Sequence, residues 1–199
     1  VDEVAMGIGR TGTMFACEQE DVVPDIMAVA KMLTGGYVPL AATLATDRIY
    51  EAFLGPPEEG RTFFHGHTYT GNALGCAAAL ATLDIFDEED VLAALQPKID
   101  HLKEELSRLA DLEWVGDIRQ YGMAAGVELV SDPETREGFD AADRVGQKVC
   151  RKAREKGVFL RPLGEVIVVM PPLSITPSEI ETLVDAIGYG IGEVAPQYA

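Results

Sequence analysis

Positive charge, cysteine, histidine and tryptophan are all scarce in this sequence. Its 199 residues hold 16 Lys and Arg against 33 Asp and Glu, for a net charge of -17. That balance excludes nucleic acid and anionic membrane surfaces as partners, because both need clustered cations. The three cysteines, Cys17, Cys76 and Cys150, are widely spaced and form no C-x-x-C. A secreted disulfide framework is therefore excluded, and a reducing, cytoplasmic setting is expected. With only His65, His67 and His101, the H-x-H pair has no third ligand in view, so no metal site is expected. No apolar run is long enough to span a membrane.

What is present suits a folded α/β chain. Hydrophobic residues make up 47% of it, ample for a core. Val1 to Met6 reads as a buried strand carrying two acids, an odd place for charge. Gly7 to Gly12 is a turn, and a short helix spans Met14 to Glu20. DIMAVA (25–30) is a second strand, Thr34-Gly35-Gly36 breaks it, and 37–46 is a third. Asp47 is placed to cap a helix through Phe53, and Asn72 another from Ala73 to about Phe86. The acidic stretch 87–90 marks a division. Residues 1–86 then form part of an α/β layer and 87–199 a smaller α+β module. In the second part a long amphipathic helix runs to about Leu109, with Pro97 as a kink or restart. Strands follow at 114–118 and 124–130, a helix at 141–156, strands at 158–161 and 166–170, and a last helix from Ser178 to about Val194. The chain opens at Val1 directly in strand-like sequence, which is expected of part of a longer polypeptide.

Gly7, Gly9 and Gly12 form a G-x-G-x-x-G. A dinucleotide turn needs a long helix after the glycines and an acid ending the next strand. Here the helix stops before Pro24, and Glu18, Glu20 and Asp21 lie within it or at its end. The glycines are better read as a connection. More informative is the pair Asp2 and Lys31, an acid on one strand and a lysine at the end of the next. Alone, each reads as an exposed polar residue.

Together, VDEVAMGIGRTGTMFACE, PDIMAVAKMLTGGYVPLAATLAT and FFHGHTYTGNALGCAAA resemble the class III aminotransferases. These are pyridoxal-phosphate enzymes of fold type I, and the order and spacing match over essentially the whole chain. The resemblance implies the C-terminal part of the large cofactor-binding domain followed by the small C-terminal domain. It implies that Lys31 carries pyridoxal 5′-phosphate and shuttles the substrate proton. Asp2 would pair with the pyridine nitrogen, and Val4 would pack the ring. Thr68, with His67, would bind the cofactor phosphate of the other subunit in a homodimer with shared sites, and Gly66 would lie near the substrate.

RPLGEVIVVMPPLSIT, together with the third segment, is similar to the branch that makes 7,8-diaminononanoate from 8-amino-7-oxononanoate in biotin synthesis. There Arg161 would bind the far carboxylate of the keto acid. Val168 stands where relatives that bind an α-carboxylate carry an arginine, which fits a long aliphatic substrate. The amino donor is S-adenosylmethionine or lysine. Another class III transaminase of diamines or ω-amino acids, and a fragment inactive without the preceding half, remain alternatives. The family's glycine-serine phosphate cup and its stacking aromatic belong to that preceding half.

Overall fold

A computed structural model describes residues 1–198. The chain divides into two compact units, Val1–Ala94 and Leu95–Ala199. The division falls later than residue 86, where the acidic stretch suggested it. Helix α2 (Ala73–Glu88) runs on past Phe86, and the chain turns at Asp90, which has a left-handed φ of 45°.

In the first unit, β1 (Ile26–Val29) pairs antiparallel with β2 (Ala42–Ala45). Asp2 adds a single parallel bridge to Ala28 on the other side of β1. The expected strand Val1–Met6 is therefore one residue long in its pairing. Glu3 is 3% exposed, and its carbonyl accepts the Gly7 N–H at 3.0 Å, which curls residues 4–10 into turns. Val4 consequently lies in a turn, not on a strand face shared with Asp2. The expected helix of 14–20 is a 3-10 helix, Ala16–Glu20.

Helix α1 (Asp47–Glu51) is short, and its N-cap is Thr46 rather than Asp47. Helix α2 starts as its sequence predicts: Asn72 Oδ1 accepts the Leu74 N–H at 3.1 Å, satisfying one orphan donor. Gly75 lies close to Leu40. A Cβ there would sit 3.2 Å from Leu40 Cδ1.

The second unit is a two-layer module. Its antiparallel sheet has the order β3-β4-β6-β5, from β3 (Val115–Tyr121), β4 (Ala124–Leu129), β5 (Arg161–Leu163) and β6 (Val166–Val169). Alternation sends Ile118, Val127, Leu129, Ile167 and Val169 to the core face. Helices α3 (Val91–Ser107), α4 (Val145–Ala153) and α5 (Pro177–Val194) supply the rest of the core, with Leu95, Leu102, Leu106, Val149, Ile180, Ile187 and Ile191 all buried. Helix α3 continues through Pro97. The helix expected from Ala141 starts at Val145, because Asp140 Oδ1 takes the Ala142 N–H into a turn and Arg144 is left-handed. The strand expected at 158–161 is displaced to 161–163, where pairing with β6 begins.

Helix α5 shows why these elements form. Pro177 occupies its first turn, where no N–H is needed. Thr176 and Glu179 make a reciprocal capping box, with the Thr176 N–H donating to Glu179 Oε2 at 2.8 Å. Ile180, Leu183, Val184, Ile187 and Ile191 then follow helical spacing on the buried side.

Candidate active site

Asp2 and Lys31 are placed by the same strand. The Glu3 N–H donates to Ala28 O at 2.9 Å, and the Ala28 N–H donates to Val1 O at 3.1 Å. These two bonds bracket Asp2 beside Ala28. Lys31 lies three residues further along that strand's path, about 10 Å at ordinary strand rise. Both side chains are exposed. Asp2 Oδ1 accepts the Val4 N–H at 2.9 Å. The Lys31 amine makes no hydrogen bond or ion pair among the described residues.

Lys31 does not simply end the strand. Ala30 is extended, with φ -162° and ψ -150°, and Lys31 then takes a φ of 45°. A left-handed backbone on a residue other than glycine costs of order 1 kcal/mol and persists only where surrounding structure imposes it. Here the Leu33 N–H bonds back to Ala30 O at 3.0 Å, closing the 3-10 turn Lys31–Thr34. Thr34 is buried, and its Oγ1 donates to Val38 O at 2.5 Å. The chain therefore swings sharply out of β1 at the residue that carries the amine.

Gly66, His67 and Thr68 sit on a separate exposed loop, and no hydrogen bond among the described residues joins it to Asp2 or Lys31. The His67 N–H donates to Thr70 Oγ1 at 3.0 Å, and His67 Nδ1 accepts the Tyr69 N–H at 3.1 Å. His67 is thus spent on shaping its own turn. The Thr68 hydroxyl has no partner among the described residues. His65 instead stacks on Phe63, with ring centroids 5.3 Å apart. Among the described residues no group of three His, Cys, Asp or Glu side chains could hold a metal ion.

Arg161 belongs to the second unit. Its register partner is Val168, so both lie on the sheet face opposite the buried Ile167 and Val169. Leu163, on the same face, is 68% exposed. Arg119 shares this face but is already neutralised: its Nη1 contacts Asp117 Oδ2 at 2.7 Å and Glu128 Oε2 at 2.5 Å. That pairing holds the Asp117 carboxyl below its ordinary range. Arg161 makes no ion pair among the described residues, although acids outnumber bases two to one.

Glu3 is the residue whose importance the sequence left unread. Its carboxylate accepts the Ala16 N–H at 3.0 Å and the Cys17 N–H at 2.8 Å. The signal was present in the odd placing of two consecutive acids in an apolar opening.

The chain matches the family Aminotransferase class-III over residues 1–190. It is 59% identical over 193 residues to the adenosylmethionine-8-amino-7-oxononanoate aminotransferase of Geobacter sulfurreducens, covering 97% of this chain and 43% of that protein. Against the enzyme of the same name from Nitratidesulfovibrio vulgaris it is 59% identical over 186 residues, covering 94% of this chain and 34% of that one. The crystal structure of the Methanocaldococcus jannaschii enzyme of that name superposes with a TM-score of 0.94 at 52% identity, over 96% of this chain and 45% of the other. The chain thus spans less than half the length of these relatives, and its α/β fold is the fold type I seen in class III transaminases. On the extent of the match and on these identities, the chain belongs to the class III aminotransferases.

Proposed function

We propose that the polypeptide to which this chain belongs transfers an amino group to the 7-ketone of 8-amino-7-oxononanoate, giving 7,8-diaminononanoate for biotin synthesis, with pyridoxal 5′-phosphate as cofactor. The observation that carries the reading is the Asp2–Lys31 pair. A carboxylate and an amine stand on adjacent strand paths, and the amine is delivered by a strained backbone. A carboxylate suits a basic ring nitrogen and an amine suits an aldehyde, so the chemistry of the two residues fits the cofactor.

The cofactor supplies an electron sink for the charge left when a substrate carbon gives up its proton. Asp2 holds the proton on the ring nitrogen. Lys31 would hold the cofactor through its aldehyde, and its amine, when free, would move the proton to and from the substrate carbon. Thr68 offers its hydroxyl to the phosphate, with His67 shaping the loop and Gly66 leaving space for substrate. In this reading the loop serves the site of a second subunit in a twofold dimer. Val4, in the turn after Asp2, packs the ring.

Arg161 recognises the substrate's carboxylate. Its planar fork suits a carboxylate, and Val168 and Leu163 on the same sheet face offer apolar contact to a long methylene chain. The amino donor is S-adenosylmethionine or lysine, and the relatives' name, which includes adenosylmethionine, favours the first. No helix among the described residues is long and apolar enough to cross a membrane, and a cytoplasmic setting accords with the small-molecule substrates.

Borohydride reduction of the full-length protein with pyridoxal phosphate, followed by peptide mass spectrometry, tests the assignment. The pyridoxyl mass belongs on Lys31. A label on another lysine, or one that persists in Lys31→Ala, overturns it.

A further inference from the structure

We propose that Glu3 is a positioning residue for Asp2: its buried carboxylate, clamped on the Ala16 and Cys17 N–H groups, holds the Asp2 carboxylate in place for the cofactor's ring nitrogen. The proposal rests on the reading of Asp2 given above.

Asp2 needs such support because its strand is so short. Only one bridge joins it to β1, and beyond Glu3 the chain leaves the sheet at once. A residue with one bridge, and with an exposed side chain bonded only to the Val4 N–H two residues on, has a carboxylate defined within its own turn but little to fix that turn against the sheet. Glu3 supplies the missing anchor. Its N–H is bound to Ala28 O, its carbonyl to the Gly7 N–H, and both carboxylate oxygens to N–H groups thirteen and fourteen residues on. Each of its polar groups is engaged, and it is 3% exposed. Charge-assisted bonds of this kind are about twice as strong as neutral ones.

The surrounding loop is built to receive that carboxylate. Ala16 and Cys17 open the 3-10 helix Ala16–Glu20, whose free N–H groups point back at Glu3. Gly7 leaves the space. A Cβ there would stand 2.7 Å from Glu3 O, 3.0 Å from Glu3 Cβ and 3.3 Å from Glu3 Oε2. The Cys17 thiol is pushed up by burial and by its hydrogen bond to Glu3, so it stays neutral beside the anion. Successive side chains of an extended segment point to opposite sides. Fixing Glu3 on the loop side therefore fixes Asp2 on the other.

Glutamine at position 3 offers one acceptor where two N–H groups need one each, and turns an amide donor toward the second. Glu3→Gln thus releases the clamp with little change in volume. The readout is the ¹⁵N chemical shift of ring-labelled pyridoxal phosphate bound to the full-length protein, followed over pH. Glu3→Gln is expected to lower the proton affinity of the ring nitrogen by about fivefold or more, and Asp2→Asn to lower it further. A wild-type titration in Glu3→Gln, with only a lower unfolding midpoint, would show a purely structural glutamate and overturn the proposal. A wild-type titration in Asp2→Asn would overturn the reading of Asp2 and this proposal with it, and the variant that fails distinguishes the two. If Glu3→Gln does not fold, hydrogen exchange on the wild-type protein decides. Coupling is reciprocal, so the Ala16 and Cys17 amides should exchange about fivefold more slowly with cofactor bound than without. Equal exchange overturns the proposal.

Discussion

Asp2 accepts a hydrogen bond from the Val4 N–H at 2.9 Å, and this is the contact that defines its carboxylate within the chain. Asparagine can accept the same bond through its own Oδ1. Asp2→Asn should therefore leave folding unchanged, within about 0.5 kcal/mol for an exposed site. It cannot hold a proton on a ring nitrogen. The expected result is a kcat lower by about 100-fold or more, with the same thermal midpoint as wild type. A large fall in the midpoint would instead make Asp2 a structural residue.

Arg161→Ala removes a guanidinium that has no ion-pair partner among the described residues, so the fold should lose little. The loss should appear in recognition of the keto acid. We expect its KM to rise by about 10- to 100-fold, the value of a charge-assisted bond, while KM for the amino donor stays near wild type. Steady-state kinetics with each substrate varied in turn checks this. Equal effects on both substrates would remove Arg161 from the acceptor site.

The α4–α5 contact predicts opposite effects from two like substitutions. A Cβ on Gly190 would come 2.8 Å from Val149 O and 3.2 Å from Val149 Cγ1. Backbone cannot yield there without moving a helix, so Gly190→Ala should destabilise by about 1–3 kcal/mol. Gly192, two residues on, has nothing within 4 Å of its would-be Cβ. Gly192→Ala should stabilise by up to about 1 kcal/mol through helix propensity. Urea unfolding of both variants tests the pair.

Cys150 introduces an alkaline limit. It is buried, and burial pushes its thiol up from an ordinary 9.0 to about 11, with the Arg154 charge pulling weakly the other way. The folded state therefore keeps this proton where the unfolded chain has lost it. Its contribution is fully present below pH 9 and is lost as pH rises toward about 11. Cys150→Ala should flatten that part of the profile. Unfolding midpoints of wild type and variant at pH 8 and pH 10 give the comparison, and parallel profiles would refute it.

Much of this was legible in the residues. The capping signal Asn72 announced α2, because a cap is a local interaction readable from neighbours. The strands expected at 124–130 and 166–170 are present as β4 and β6, each one residue shorter. The opening stretch misled for a physical reason. Val1 to Met6 has strand propensity, but a carboxylate whose partners lie at positions 16 and 17 pulls it out of the sheet, and no local pattern reveals a bond across that distance. Asp47 failed as a cap for a similar reason: it sits one position inside the helix that Thr46 begins. Lys31 and Asp2 stood out in the sequence only as a pair. Their spacing was in the sequence, whereas the left-handed turn that separates Lys31 from an ordinary strand end was not.

That turn carries a cost the protein does not need for folding. Glycine would adopt the Lys31 backbone without strain, so Lys31→Gly should fold at least as well as wild type, and up to about 1 kcal/mol better. The amine would be gone, and with it the proposed attachment point. Selection for stability alone would drift this position toward glycine. On the proposed reading, its lysine marks the place where the fold gives up stability to deliver one nucleophile.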